Sequence, residues 1–267
     1  MNVRVLCVVL VSAAVLWPWA AAPAAEKAPA GKEKAPAAQE KAPSVQEKAP
    51  AAQEKAPSVQ EKAPAAQEKT PGAKDLFDGK TLSGWKPVDM PGQAKVYVKD
   101  GAIVMDSGDS MTAVIWTGKP PRTNYELTLD GMRLEGGDFF ATTTFPVGDS
   151  FCSLVVGGWG GSVVGLSNVD HFDASENATS TSREFKDKTW YHVRIRVTDA
   201  RIDVWIDGKQ LIRQNRKDHV FDLRMECDPC RPLGICTWNT KGAVKNIRLR
   251  EVPPKEAAKV AEEKDEE

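Results

Sequence analysis

One polar loop of the sequence carries residue types that could supply an acid–base pair, bind a sugar or hold Ca²⁺. The stretch "NVDHFDASENATST" contains Asp170 and Asp173 together with His171 and Asn177. Carboxylates and imidazoles transfer protons, and the amide and imidazole bind sugar hydroxyls. We therefore predict Asp170 and Asp173 as candidate catalytic residues and His171 and Asn177 as candidate carbohydrate ligands. A solvated loop of turn formers also explains this composition, and a structural Ca²⁺ is a third interpretation.

A second group of candidates alternates along three predicted strands, "YELTLD", "WYHVRIRV" and "RIDVWID". An aromatic ring stacks on the apolar face of a sugar, and charged groups bind the hydroxyls. Trp205, Arg194 and Arg196 are therefore predicted carbohydrate ligands. Glu126 and Asp203 are further catalytic candidates, because glycosidases use two carboxyls that flank the scissile bond. The alternative is a solvated sheet face with cross-strand ion pairs.

The glycine-rich stretch "SLVVGGWGGSVVGLS" raises a different possibility, a phosphate-binding loop. Such a loop leads from a strand into a helix, whereas Gly161 here is followed by "SVVGLS", a second strand-like run. We predict a strand, a glycine-rich turn and a returning strand. Trp159 lies at the apex of that turn, where it either stacks on a sugar or caps the fold.

Four cysteines follow the N-terminal region: Cys152, Cys227, Cys230 and Cys236. Export favours disulfides, and both a small loop closed by "CDPC" and a cross-strand link from Cys152 to Cys236 are candidate pairings. Free thiols are one alternative. A metal site is another, and it would need all four thiols together or His219 in place of one. We predict neither a metal site nor a cofactor.

The two ends of the chain differ from its centre in composition. Residues 1–24 contain Arg4, an apolar run and small residues before a cleavage position after Ala24, which predicts a signal peptide and a secreted or periplasmic protein. Residues 25–74 repeat "EKAPAAQ" or "EKAPSVQ" with one proline in each heptad, which predicts a disordered linker. The composition of residues 253–267 predicts a disordered acidic tail, either solvated or weakly helical.

Charge and hydropathy narrow the range of partners. The formal net charge of the 267 residues is −1, so nothing predicts a nucleic-acid partner. The apolar run near the N-terminus is shorter than the roughly 20 residues that span a bilayer, and no stable membrane span is predicted in the mature chain. The linker leaves a cell-envelope or surface partner open, because a tether raises the local concentration of the domain it carries.

Period-two hydrophobic patterns predict an all-β domain over residues 75–252. In "WYHVRIRV", Tyr191, Val193 and Ile195 share one face and alternate with polar residues. Asp207-Gly208 is a strong hairpin signal, since both turn positions favour positive φ. Short strands without a convincing amphipathic helix favour a two-sheet antiparallel jelly-roll sandwich.

Three stretches of the chain resemble a known family: "LFDGKTLSGWK" at 76–86, the pair "WYHVRIRVTDARIDVWIDGKQL", and the ending "PLGICTWNTKGAVKNIRLREV". Together they resemble the secreted 3-keto-disaccharide hydrolase domain family, which is similar to family-16 glycoside hydrolases. The resemblance implies a concanavalin A/laminin G-like jelly roll, an exported protein, and a carbohydrate or glycoside as partner.

Members of that family commonly carry Glu and Gln on a central strand that follows an Asn-Ser-Gly turn. The corresponding region here, "LEGGDFFATTTFPVGDSFCSLVVGG", has Thr, Phe, Val and Ser on its strands instead. Two hypotheses follow. The first is a hydrolase acting on a (keto-)disaccharide or glycoside, as the resemblance implies. The second is a non-catalytic glycan-binding or adhesion module on a flexible tether, which the missing acidic strand favours.

Overall fold

The structure, a computed structural model, describes residues 71–263. The predicted signal peptide, nearly all of the predicted linker and the last four residues of the predicted tail lie outside this range. Within it, the chain forms two antiparallel sheets packed as a sandwich, which confirms the predicted all-β fold.

Sheet A has eight strands, seven of them in the spatial order β13-β12-β11-β6-β15-β4-β3, with β1 paired to β15. Their bounds are β1 (Lys74–Asp75), β3 (Val96–Lys99), β4 (Ala102–Met105), β6 (Tyr125–Gly136), β11 (Tyr191–Val197), β12 (Arg201–Ile206), β13 (Lys209–Asn215) and β15 (Thr240–Glu251).

Sheet B has seven strands in the order β10-β9-β8-β7-β14-β5-β2. Their bounds are β2 (Trp85–Pro87), β5 (Met111–Trp116), β7 (Thr142–Val147), β8 (Ser150–Gly157), β9 (Val163–Ser167), β10 (Thr181–Ser182) and β14 (Gly234–Trp238). Three short helical elements complete the fold: α1 (Gly158–Gly161), the 3₁₀ helix η1 (Met225–Cys230) and α2 (Pro254–Glu262).

The core lies between the two sheets, where alternate residues of each strand point inward. Leu127 on β6 and Ile195 on β11 are fully buried cross-strand partners in sheet A. Phe145 on β7 faces the same core from sheet B and pairs with Cys152 on β8. The period-two pattern therefore places the remaining residues of each strand on the outer faces of the sandwich.

Two predicted turns have the expected form. Asp207 and Gly208 join β12 to β13 with φ of 52° and 79°, as a two-residue hairpin turn requires. The glycine-rich stretch forms β8, the turn α1 and the returning strand β9, with Trp159 in the turn.

Within the predicted tail, residues 254–262 form helix α2, in line with its weakly helical alternative. Pro254 occupies the first turn, where its missing N–H costs nothing, and Val260 is 98% buried. Glu256 forms an ion pair with Arg250 of β15, and Glu263 forms one with Arg201 of β12. Helix α2 thus covers the outer face of sheet A. No helix within residues 71–263 is long and apolar enough to cross a membrane.

Candidate functional site

A pocket of about 280 Å³ opens on the outer face of sheet B, and we call it the sheet B pocket. This volume is close to the lower end of the range of small-ligand sites, about 300–1,000 Å³. Its strand residues are Met111, Thr142, Ser153, Val155, Ser167 and Trp238. Its other lining residues are Asp138, Phe139, Trp159, Arg224, Glu226 and Cys227.

Strand alternation determines the polar part of the pocket lining. On β8, Cys152 belongs to the inner core, so Ser153 and Val155 face the pocket. The hydroxyls of Ser153 and Thr144 are 2.8 Å apart. Thr142 on β7 is fully buried, and its Oγ1 has no hydrogen-bond partner among residues 71–263. A buried hydroxyl without a partner is costly, so a ligand hydroxyl bound there would satisfy it.

Trp159 lies at the mouth of the pocket because of the glycines around it. Gly157 and Gly160 have φ of 78° and 84°, and Trp159 itself has φ 48° and ψ 59°. This left-handed conformation is strained for a bulky side chain. The side chain is 42% exposed, which is unusual for tryptophan, so the strained turn presents an aromatic ring to solvent beside the pocket.

Arg224 organises the charges on one side of the pocket. Its Nη1 donates to Asp173 Oδ2 at 2.9 Å, and its Nη2 lies 3.3 Å from Glu226 Oε1. The guanidinium carbon is 5.8 Å from the centre of the Trp159 ring. The hydrogen bond with Arg224 lowers the pKa of Glu226 below its usual range, and the same bond raises the pKa of Arg224. Glu226 is therefore an ionised carboxylate at neutral pH.

Asp138 is a second carboxylate of the lining, and it comes from the connection between β6 and β7. Its backbone N–H donates to Thr240 Oγ1 at 3.0 Å, and its Oδ1 accepts from the Phe139 N–H at 2.7 Å. These bonds fix the carboxylate next to the turn that carries Trp159. The pocket thus combines two carboxylates, a guanidinium, an aromatic ring and buried hydroxyls, which are groups suited to binding and proton transfer on a sugar.

Asp173 of the predicted polar loop is not part of the pocket lining, but it accepts a hydrogen bond from Arg224, which is. Asp170 instead pairs with His219, at 2.7 Å between Oδ2 and Nδ1. The Val220 N–H and His219 lower the pKa of Asp170. His171 pairs with Asp222 at 2.5 Å. These dyads lie at the surface where the loop after β9 meets the chain after β13.

Asn177 has a structural role in the same loop. Its Nδ2 donates to the carbonyl oxygens of Leu166, Phe172 and Asp173, at 2.7, 3.0 and 2.7 Å. Its Oδ1 accepts from Thr179. With its amide fully engaged, Asn177 ties the loop together.

The predicted sugar platform on sheet A is filled by the protein's own side chains. Asp203 is completely buried, and its carboxylate receives hydrogen bonds from Arg196, Arg201 and Gln210. Glu126 is 97% buried and pairs with Arg250 at 3.1 Å. Both predicted catalytic carboxylates of sheet A are therefore buried in ion pairs with arginines.

The aromatic part of that platform is occupied in the same way. Trp205 is 91% buried, and the guanidinium carbon of Arg194 lies 3.8 Å from its ring centre. Arg196 lies 5.0 Å from the same centre and is bonded to Asp203. The ring face of Trp205 on which a sugar would stack is therefore covered by the Arg194 guanidinium.

All four cysteines of the described residues are free thiols in the structure. Cys152 faces the inner core and Cys236 the outer face of sheet B, so the suggested link between them is wrong. Burial raises the pKa of Cys152 well above its usual value. Within residues 71–263, no three His, Cys, Asp or Glu side chains are placed to hold a metal ion.

Sequence reasoning missed Asp138, Arg224, Glu226 and Thr142. Asp138 and Glu226 are carried by irregular segments, where carboxylates have no periodic spacing to reveal a shared site. Thr142 had a usable signal, because alternation along "TTTFPV" places it opposite the core-facing Thr143 and Phe145. Arg224 had none, since its partners Asp173 and Trp159 lie 51 and 65 positions earlier in the chain.

Comparison with known proteins gives a family match and several fold likenesses. A family model described as a 3-keto-alpha-glucoside-1,2-lyase-like domain matches residues 72–250. Crh5 transglycosylase in its apo form is 15% identical with a TM-score of 0.50, over 68% of this chain and 84% of that one. No curated protein sequence matches the chain.

Two further structures are similar at lower TM-scores. A proposed glycosyl hydrolase from Parabacteroides distasonis ATCC 8503 is 16% identical with a TM-score of 0.45, over 68% of this chain and 94% of that one. The carbohydrate-binding module CBM66 from Bacillus subtilis is 13% identical with a TM-score of 0.43, over 63% and 96%.

Proposed function

The chain belongs to the 3-keto-alpha-glucoside-1,2-lyase-like domain family, and from this premise we propose that it cleaves a keto-modified disaccharide or glycoside in the sheet B pocket. The observation that carries the proposal is the convergence of Glu226, Arg224 and Asp138 on one cavity of about 280 Å³. Trp159 at its mouth supplies a ring for the apolar face of a sugar, and Thr142 supplies a buried hydroxyl.

The keto group defines the chemistry that these residues would perform. In a 3-keto-glucoside, the proton on C2 is acidic because the neighbouring C3 is a carbonyl carbon. A base that removes this proton forms an enolate, and loss of the oxygen on C1 then creates a C1–C2 double bond. Glu226 is suited to be the base because Arg224 keeps its carboxylate ionised.

Arg224 and Asp138 would act on the two oxygens that gain negative charge, the enolate oxygen and the departing C1 oxygen. The positive guanidinium of Arg224 stabilises negative charge that develops on the enolate oxygen. Asp138, the second carboxyl of the lining, is assigned to the departing C1 oxygen, to which a proton has to be delivered. Neither role depends on the strand carboxylate of related domains, since β8 presents Ser153 and Val155 to the pocket.

Paired substrates and matched variants test the proposal. The full chain is incubated with a 3-keto-α-glucoside and with its unoxidised parent, and release of the aglycone is followed. We expect turnover of the keto substrate alone. Glu226→Gln should lower kcat by about 100-fold or more, whereas Glu176→Gln, a loop control outside the pocket lining, should leave it unchanged. Equal turnover of the unoxidised glycoside would contradict the elimination mechanism and indicate ordinary hydrolysis.

A second candidate function is glycan binding without cleavage. It is favoured by β8, whose pocket-facing Ser153 and Val155 cannot act as acid or base at neutral pH. The same assay separates the two functions when binding is measured alongside it. Retention of a sugar by the wild type and its loss in Trp159→Ala, without aglycone release from any substrate, would establish the binding module.

We further infer that the protein is exported and held on a flexible tether, since the composition of residues 1–24 and 25–74 supports this. N-terminal sequencing of the mature protein tests it. A mature chain that begins at Ala25 fits the inference, and one that begins at Met1 contradicts it.

A further inference from the structure

Cys227, Cys230 and Cys236 form a thiol cluster in the wall of the sheet B pocket, and the proposed function uses none of them. Cys236 is buried on the outer face of β14. Cys227 and Cys230 are three residues apart on η1, and a 3₁₀ helix has about three residues per turn, so their side chains share one face. Cys236 packs with both of them in one buried cluster.

A close approach of backbones brings the cluster together. A Cβ atom added to Gly234 would lie 2.5 Å from the Cys230 carbonyl oxygen and 2.8 Å from its Cβ. Only glycine therefore allows η1 to lie directly on β14. The first turn of η1 is held by the Cys227 N–H, which donates to the Arg224 carbonyl oxygen at 2.9 Å.

The three thiols differ in their access to the pocket. Cys227 is part of the lining and is 7% exposed, whereas Cys230 and Cys236 are completely buried. A reagent that enters the pocket thus meets Cys227 first. Hydrogen bonds from Cys236 and Ser153 lower the pKa of Cys227, while the bonds to Cys227 and Cys230 and burial raise the pKa of Cys236. Cys227 is the better nucleophile of the pair.

We propose that Cys227 is a thiol-modification site of the pocket wall and that Cys236 resolves the modification as a reversible disulfide. The Cys227 thiolate attacks one sulfur of a low-molecular-mass disulfide, forms a mixed disulfide and expels one thiolate. The Cys236 sulfur attacks the Cys227 sulfur and its proton passes to the second, departing thiolate, which leaves as a thiol. Two protein thiols are oxidised, and the external disulfide is reduced to two thiols.

The resulting bond would tie η1 to β14 at the base of the pocket. Arg224 and Glu226 lie in the three residues before Cys227, so the disulfide would fix the segment that contains them. The site is independent of the proposed cleavage reaction, and its chemistry can be tested in the absence of any sugar.

Peptide mapping of the full chain tests the proposal. The reduced protein is treated with oxidised glutathione, the remaining thiols are alkylated, and the protein is digested with trypsin and with a protease that cuts before aspartate. Cleavage before Asp228 separates Cys227 from Cys230 and Cys236. We expect the two fragments to stay joined until a reductant is added. Separate fragments from the wild type would overturn the proposal.

Three serine variants identify the partner thiol. Cys230→Ser should keep the fragments joined, and Cys236→Ser should leave Cys227 as a mixed disulfide with glutathione. Cys152→Ser, on the inner face, is the matched control and should change nothing. A link that persists in Cys236→Ser would contradict the assignment. If that variant does not fold, alkylation of the wild type decides: Cys227 should react about tenfold faster than Cys236, and equal or reversed rates oppose the proposal.

Discussion

Trp159 and Trp205 lie on the outer faces of opposite sheets, and an arginine lies over the ring of each. Arg194 is 3.8 Å from the ring centre of Trp205, and Arg224 is 5.8 Å from that of Trp159. Trp205 is 91% buried in a network closed by helix α2, whereas Trp159 is 42% exposed beside a cavity. The same pair of residue types thus stabilises the fold on sheet A and leaves a surface for a ligand on sheet B.

The carboxylates of the two faces differ in the same manner. Asp203 is completely buried and receives hydrogen bonds from arginines on its own and a neighbouring strand. Glu226 keeps 41% of its side chain exposed and has Arg224 as its cationic partner. Removing the Asp203 carboxylate leaves buried positive charge uncompensated. Removing the Glu226 carboxylate leaves an arginine that water can reach.

The largest effect is therefore expected from Asp203→Ala. It should lower the free energy of unfolding by about 3–5 kcal/mol, since it leaves Arg196 without its carboxylate and Arg201 with Glu263 as its remaining acidic partner. Glu226→Ala should lower it by less than about 1 kcal/mol. Urea denaturation of both variants measures the difference. Similar losses of stability in the two variants would contradict the contrast between a covered outer face on sheet A and an open one on sheet B.

The two tryptophans give the next largest effect, and here stability and binding separate. Trp205→Ala should cost about 3 kcal/mol of folding free energy, because a buried ring stacked by Arg194 is lost, and sugar binding by the folded protein should persist. Trp159→Ala should weaken sugar binding about tenfold with little loss of stability. Calorimetric titration beside thermal denaturation tests the pair, and reduced binding by folded Trp205→Ala would contradict it.

The sequence alone could predict the sandwich because burial imposes a period of two on every long strand. Tyr191, Val193 and Ile195 alternate with His192, Arg194 and Arg196, and this fixes both strand and buried face. The hairpin at Asp207-Gly208 follows from the positive φ that its turn needs. These features are local, so a single sequence contains them.

The site could be predicted only in part because it depends on which outer face is covered. Alternation placed Asp203 and Trp205 outside the core, but the helix that covers them is a short segment of low hydropathy in which Val260 is the buried residue. Trp159 could be predicted because the glycines on both sides of it indicate a turn. Arg224 and Glu226 follow a loop, and their position over β8 arises from the tertiary packing of η1.

A smaller effect tests whether the exposed ring is held under strain. Trp159 has φ 48°, a conformation that glycine adopts without steric cost. Trp159→Gly should therefore be about 1 kcal/mol more stable than Trp159→Ala, although both lose the ring and both should bind sugar weakly. Equal stability of the two variants in urea denaturation would show that the turn carries no strain.

The smallest expected effect is the pH dependence of stability that the charge of Glu226 contributes on the open face. The hydrogen bond with Arg224 lowers the pKa of Glu226 in the folded protein. A lowered folded pKa gives stability that is present above the unfolded pKa of about 4.3 and is lost as pH falls through the folded value. Because the side chain is 41% exposed, screening should keep this contribution below about 1 kcal/mol.

The measurement is the stability difference between wild type and Glu226→Gln from pH 7 to pH 3. We expect a small advantage of the wild type at pH 7 that disappears on acidification below about pH 4. In Arg224→Met the advantage of a carboxylate over an amide should vanish at every pH, since the donor that lowers the pKa is gone. An advantage that grows on acidification would mean that Glu226 is stabilised in its protonated form. It could then not serve as the base of the sheet B pocket.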